Sequence, residues 1–416
     1  MLALQRSSTL VRFFFTLLVM AAVAGLVFAN YQFVLQAPGG NDFLARWMGA
    51  RAWLLEGMSP YDPQVSLRTQ QVIYGRPARP ELGEDVAHFV YPLPSMIFFG
   101  PFALLPFTLA RALWMTVLEL ALLGLGLVSL RISGWSPRRP TLTLFLFFSA
   151  FWYPGFRAVI LGQFAAIEAF LLAAALYAIQ ARQDGLAGAL LALSIAKPNV
   201  AFLIIPFVLI WGISRRRWAL IASTLGGIGF LLGISVLLLP QWPLQWIWQV
   251  LSYTSYTATV PATAVLAEML PGNATWIQWA LSLLLLAYLL LEWGASWGQG
   301  MRRFQWVAAM TLLITNLIVP RTATTNYLVF LPGLAMIFAV MNDRWKTKGE
   351  VAAAVLMLVL LVGLWALFLA TVEGNLESPL MYIPLPATLL LGLWWIRWWY
   401  LRSPRLLLED ETPWER

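Results

Sequence analysis

Long uncharged apolar runs alternate with short polar stretches from residue 10 to residue 400, and nothing else in the chain constrains its fold as strongly. Only 11% of the residues are charged, and they are confined to the stretches between the runs. A soluble domain carries about 25%. A water-soluble protein of 416 residues could not hide so many all-round hydrophobic helices in one core. Lipid has to be the solvent. The expected fold is all-α, a polytopic transmembrane protein of about 12 helices, because a run near 20 residues is what a helix needs to cross a bilayer.

The basic residues sit in small clusters at the ends of the runs: Arg138 and Arg139, Arg215 to Arg217, Arg302 and Arg303, then Arg344, Lys346 and Lys348. Cytoplasmic loops facing anionic lipid have this pattern. The net charge of +8 therefore does not signal nucleic-acid binding, which would need one contiguous basic face. There are no cysteines and one histidine, so disulfides, thiolate chemistry and multi-histidine metal centres are excluded. A divalent cation such as Mg or Mn would need oxygen ligands, and Asp42 and Asp62 are the carboxylates on offer.

The first run, about 10–29, follows Arg6 and Arg12 and should leave the N-terminus inside. Val27-Phe28-Ala29 also fits a signal-peptidase site, but the run is long for a cleaved signal. Residues 30–91 form the longest polar stretch, with six carboxylates. Within it, apolar residues at helical spacing over 43–55 predict an amphipathic helix on the membrane surface, ended by Gly57. Residues 96–130, broken by Pro101 and Pro106, should make one net crossing. Further spans are expected at 141–156, 164–181, 185–196 with 199–211 around a Lys197-Pro198 break, 217–239, 274–293, 304–320, 326–341, 350–371 and 381–400. Every basic cluster then falls inside, and loops 30–91, 157–163, 240–273, 321–325 and 373–380 fall outside. One domain over 1–400 and a cytoplasmic tail at 401–416 complete the organisation.

Charged and amide groups at membrane depth are costly and point to function. The candidates are Glu119, Glu168, Gln163, Lys197, Glu292, Arg321 and Asn326. With this topology Gln163, Lys197 and Arg321 share a face with Asp42. One carboxylate and two cations there suit a phosphate-bearing ligand, with the carboxylate free to take a proton. Each has a plainer role open to it: Asp42 as N-cap of the surface helix, Lys197 snorkelling, Arg321 anchoring at the interface, Glu119 and Glu168 as paired structural groups, and His88 as a loop residue. Asn273-Ala274-Thr275 is a sequon too common to weigh.

Asn41-Asp42-Phe43 followed by LARWMGARAWLLEGMSPYDP resembles the first-loop signature of the family 87 membrane glycosyltransferases, members of the broad GT-C class. FVYPLPSMIFFGPFALLPFTLARALW is similar to the family's Tyr-Pro-Pro segment, with Leu93 in place of a proline. LGQFAAIEAF through IAKPNV matches its Gly-Gln block and Lys-Pro break. IVPRTATTNYLVFLP resembles its late block, with Val319 and Leu328 replacing a serine and an aspartate. The likeness covers about 40–335.

The resemblance implies inverting transfer of a sugar, typically mannose, from a polyprenyl-phosphate donor to a lipid-linked or glycan acceptor, at the outer face of a bacterial inner membrane with both termini cytoplasmic. Asp42 would be the general base. Lys197, Arg321, Gln163 and Arg46 would attend the phosphate. Tyr61, Asp62, His88, Tyr91 and Asn326 would line the sugar or acceptor pocket. The rival from another class is a transporter or lipid flippase, which would also need many spans and broken helices. Against it stand the lack of an inverted repeat and the gathering of the candidates near one face. A non-catalytic scaffold would have no reason to align a carboxylate with two cations.

Overall fold

In a computed structural model, residues 2–256, 260–374 and 377–402 are described, and they form nineteen α-helices with no β-strand. Most of the expected tail at 401–416 lies outside the described residues. In chain order the helices are α1 (Leu2–Gln36), α2 (Asn41–Glu56), α3 (Pro63–Tyr74), α4 (Met96–Ala103), α5 (Phe107–Ser133), α6 (Arg139–Phe151) and α7 (Tyr153–Leu161). Then come α8 (Ala165–Gln180), α9 (Asp184–Leu193), α10 (Pro198–Ala201), α11 (Ile204–Ser214), α12 (Trp218–Leu238) and α13 (Trp242–Tyr256). The last are α14 (Ala262–Met269), α15 (Ala274–Ala295), α16 (Met301–Ile318), α17 (Leu331–Trp345), α18 (Thr347–Thr371) and α19 (Pro384–Arg402).

Among the described residues, seven segments are long and apolar enough to cross a membrane: those built on α1, α5, α12, α15, α17, α18 and α19. The pair α6 and α7, bent by 43° between Phe151 and Tyr153, is either a broken eighth span or a re-entrant loop. The stretches expected to span at 164–181, 185–196 and 199–211 are shorter apolar helices. Segment 304–320 becomes α16, which is sheathed by other helices and so can carry Gln305, Thr311, Thr315 and Asn316 in its buried surface. Segment 96–130 resolves into the short α4 and one long α5, divided by a turn before Pro106.

Contacts sort the polar ends into two groups. At one end, Arg217 pairs with Asp184 and donates to Ile179 O at 2.9 Å, and Arg215 donates to Gly298 O at 2.9 Å. There too the Arg138 amide donates to Glu350 at 2.8 Å, and Gln305 links Ile132 O, Gln180 and Tyr400. Glu292 is held by Arg303 and Arg397 at 2.5 and 2.6 Å, a structural triad near these basic ends.

At the other end, α13 leans on the first loop: Ser59 donates to Gln245 at 2.7 Å, Trp246 to Val90 O at 3.0 Å and Gln249 to Tyr61 O at 3.2 Å. Glu377 there accepts from Tyr153, Arg157 and Thr324. The loops expected outside gather at this end, and the basic clusters gather at the first.

Candidate active site

The site is set by how α2 docks. Phe43 is fully buried and stacks on Trp114 of α5 at 4.9 Å, with Phe102 edge-on at 6.1 Å. The Trp114 indole donates to Gly162 O at 2.9 Å. Gly162, at φ 74°, ends α7 in the left-handed region, and a Cβ there would lie 2.5 Å from Phe43 Cβ. Only glycine permits that approach. Because Phe43 meets Gly162, the residue before one faces the residue after the other. Farther along α2, Trp47 and Arg51 donate to Phe102 O and Ala103 O at 3.0 and 2.9 Å, which clamps the helix against α4.

Those two neighbours are Asp42 and Gln163. Gln163 Nε2 donates to Asp42 Oδ2 at 3.0 Å, and Lys197 Nζ donates to Gln163 Oε1 at 3.0 Å. Lys197 stands at the break foreseen around Pro198: α9 tightens into a 3-10 turn, Lys197 leaves helical geometry at φ −128° and ψ 74°, and α10 restarts. Arg46, one turn beyond Asp42, approaches Oδ1 at 3.7 Å. Its guanidinium lies 4.8 Å from the centre of the Tyr91 ring, and the Lys197 ammonium lies 5.9 Å from it. The Asp42 side chain keeps a quarter of its surface open while Lys197 is almost wholly buried. Asp42 therefore has room to accept a proton, and the cations behind it are poorly hydrated and strong.

Asp42 does not cap α2: Gly40, at φ 73°, occupies the N-cap position with no side-chain bond, and Asp42 lies inside the first turn. The plain N-cap role is thus removed. The preceding glycines let the helix begin two residues earlier than the Asp-Phe pattern suggested. Asp62 does cap, accepting from the Gln64 amide at 2.8 Å to start α3. Tyr61 donates its hydroxyl to Tyr91 O at 2.8 Å, and burial raises its pKa, so it acts as a neutral tether of the loop. Burial pushes Tyr91 to about 12, opposed by the nearby Arg46, so its hydroxyl keeps its proton at neutral pH. His88 is half-buried, and desolvation lowers its pKa.

Asn326 donates to Thr322 at 3.0 Å, and Thr322 to Asn316 at 3.2 Å, a buried polar string below the loop that holds Arg321. Glu119 and Glu168 do not pair: Glu119 accepts from Asn30 of α1 at 2.8 Å, whereas Glu168, fully buried, faces Lys197 and Tyr91. Sequence reasoning missed Asp85. It keeps an exposed surface, yet enough protein surrounds its carboxyl that desolvation raises its pKa; the Ala87 amide opposes this, and the Asp42 charge adds to it. Nothing in the chain marks a residue 43 positions from Asp42 as its neighbour. Among the described residues no group of three or more metal-ligating side chains is assembled.

A comparison with curated proteins and one with solved structures return no match. The model of glycosyltransferase family 87 matches residues 89–362, which include Tyr91, Gln163, Lys197, Arg321 and Asn326, while Asp42 and α2 lie before it. The hydrogen bond from Gln163 joins the matched part to α2. With more than half of the chain matched, this membrane protein belongs to glycosyltransferase family 87.

Proposed function

We propose that the chain transfers a sugar, mannose in the first instance, from a polyprenyl-phosphate donor to a lipid-linked or glycan acceptor. Transfer proceeds with inversion at the outer face of a bacterial inner membrane, with both termini inside. The observation that carries this reading is the Asp42–Gln163–Lys197 chain, in which an accessible carboxylate is fixed beside a buried cation.

Asp42 Oδ1 takes the proton of the acceptor hydroxyl as its oxygen bonds to the sugar C1. The C1–O bond to phosphate breaks on the opposite face, and the electron pair leaves with the carrier phosphate. One carboxylate suffices for a single displacement. Lys197, Arg46 and Arg321 offset the charge that grows on the leaving phosphate. Gln163 holds base and cation in register, and Tyr91 supplies an aromatic wall and a neutral hydroxyl.

Proteoliposomes given polyprenyl-phosphate mannose and crude lipid acceptors should form a mannosylated product with wild type. Asp42→Asn, which keeps the acceptor for Gln163 but not the base, should lower turnover by about 10²–10⁴-fold. Ordinary turnover in Asp42→Asn would remove the mechanism. No product from folded wild type with any polyprenyl-phosphate sugar would remove the donor assignment.

A further inference from the structure

Glu377 lies in the link between α18 and α19, beyond the residues that the family model matches. Its side chain is 12% exposed, and both carboxylate oxygens are engaged. Oε1 accepts from the Tyr153 hydroxyl at 2.8 Å and from Arg157 Nε at 3.0 Å, and Arg157 Nη2 also reaches it at 3.0 Å. Oε2 accepts from the Thr324 hydroxyl at 2.8 Å. An ionised acceptor shared with a guanidinium and largely out of water makes strong, directional bonds. The rings of α18 hold the donors in place. Tyr153 packs on Trp365 and Phe368 at 5.2 and 5.0 Å, and the Arg157 guanidinium lies 5.1 Å from the centre of the Phe368 ring.

The donors belong to two segments, and each segment leads to residues of the site. Tyr153 and Arg157 stand four residues apart, on one face of α7. That helix has nine residues and is cut from α6 by an extended Trp152 at ψ 155°, so α6 does not set its direction. Its far end is Gly162 against Phe43, followed by Gln163 between Asp42 and Lys197. Thr324 opens the 3-10 segment Thr324–Phe330, three residues after Arg321, and the same segment holds Asn326. One carboxylate therefore couples the helix that ends at Gln163 to the segment that follows Arg321. The α18–α19 pair is tied on by other bonds as well, from Trp365 to Phe151 O at 3.0 Å and from Tyr327 to Tyr382 O at 3.1 Å. Loss of the carboxylate would leave that pair attached and free the tilt of α7.

We infer that Glu377 is a positioning residue for sugar transfer: from the C-terminal part of the chain it sets α7, and with it Gln163, against the segment behind Arg321. The inference rests on the Asp42–Gln163–Lys197 chain being the site, and its test separates the two.

Turnover in proteoliposomes is measured for wild type, Glu377→Gln, Gln163→Leu and the double variant, with KM for donor and acceptor in each. Glu377→Gln keeps the shape but not the charge, and should lower kcat by about 10–10²-fold with KM little changed. Because Glu377 acts through Gln163, adding Glu377→Gln to Gln163→Leu should lower kcat by less than about twofold more. Amide exchange in Glu377→Gln should quicken at residues 158–164 and 322–326 and stay as in wild type in α9 and α12. Should Glu377→Gln not fold, Thr324→Val, which removes only the bond to Oε2, takes its place in both measurements. Unchanged kcat, losses that multiply in the double variant, or exchange quickened throughout the chain would make Glu377 a brace of the fold and overturn the inference, while Asp42 and Gln163 keep their roles. Full turnover in Gln163→Leu would overturn the site and this inference with it. If no donor supports turnover, exchange decides: quickening confined to 158–164 and 322–326 supports the inference, and its absence overturns it.

Discussion

Gln163 is the residue on which the site turns, because its side-chain amide hydrogen-bonds both the Asp42 carboxylate and the Lys197 ammonium. Gln163→Leu has nearly the same shape but neither donates nor accepts, so both charges lose a partner. A buried charged group left unsatisfied costs about 1–3 kcal/mol or more. The variant should lose about 10²-fold in turnover with a modest fall in Tm, and full activity would show that the chain is incidental. Asp85 offers a test by pH. Because desolvation raises its pKa, its contribution to stability is complete below the ordinary value of 3.8 and is lost as pH rises through the raised one. Asp85→Asn removes that loss, so its Tm should exceed that of wild type at pH 7, and the gap should close toward pH 4. His88, whose pKa is lowered, weakens both proteins alike as pH falls and cancels in the difference. A gap that does not change with pH would contradict the assignment. Gln163 and Lys197 stood out in the sequence as polar groups beside long apolar runs, and Asp42 through the resemblance of its Asp-Phe pair to a family signature, whereas their meeting in one hydrogen-bonded chain is seen only in the structure. Asp85 did not stand out, because a carboxylate in a loop already rich in charge carries no local mark.

At the scale of elements, chain breaks decide which side chains meet. The end of α2 at Gly57 and the interruption at Lys197-Pro198 follow from local rules, a left-handed glycine cap and a proline that cannot continue a helix. The start of α2 does not, since a glycine N-cap has no advantage over the Asn41 and Asp42 that come after it, and only the tertiary structure shows Arg111 packed where a Gly40 side chain would stand. Gly162 shows the same limit. Its place after α7 is readable as a helix stop, but its contact with Phe43 is not, because the two residues lie 119 positions apart. Gly162→Ala would need φ near 74° and would drive its Cβ into Phe43, strain of about 1–3 kcal/mol. The expected result is faster amide exchange in α2 and a loss of activity larger than the loss of stability, since Asp42 and Gln163 separate first. An alanine variant with α2 protected as in wild type would show that this contact does not set the site.

For the whole molecule, the alternation of apolar run and basic cluster carried the two-ended arrangement, because lipid leaves so few places for charge. It could not give crossing lengths inside the bundle, where α8, α9, α11 and α16 face protein and need not be long or uniformly apolar. The orientation of the ends can be tested directly, because the chain has no cysteine and each introduced thiol is read without background. Glu81 in the first loop and Glu268 in α14 are exposed in stretches assigned outside, and Gln183 before α9 and Lys348 at the start of α18 are exposed in stretches assigned inside. Cysteine at Glu81 or Glu268 should react with an impermeant maleimide in cells whose inner membrane is intact. Cysteine at Gln183 or Lys348 should react only after that membrane is opened. Gln183 is the discriminating position: it lies beyond the short α8, on the side where Arg217 pairs with Asp184, so its protection requires α8 to cross despite its 16 residues. Labelling at Gln183 with protection at Lys348 would make α8 re-entrant, whereas reversal of all four positions would place Asp42 on the cytoplasmic face and end the case for an outward-facing transfer.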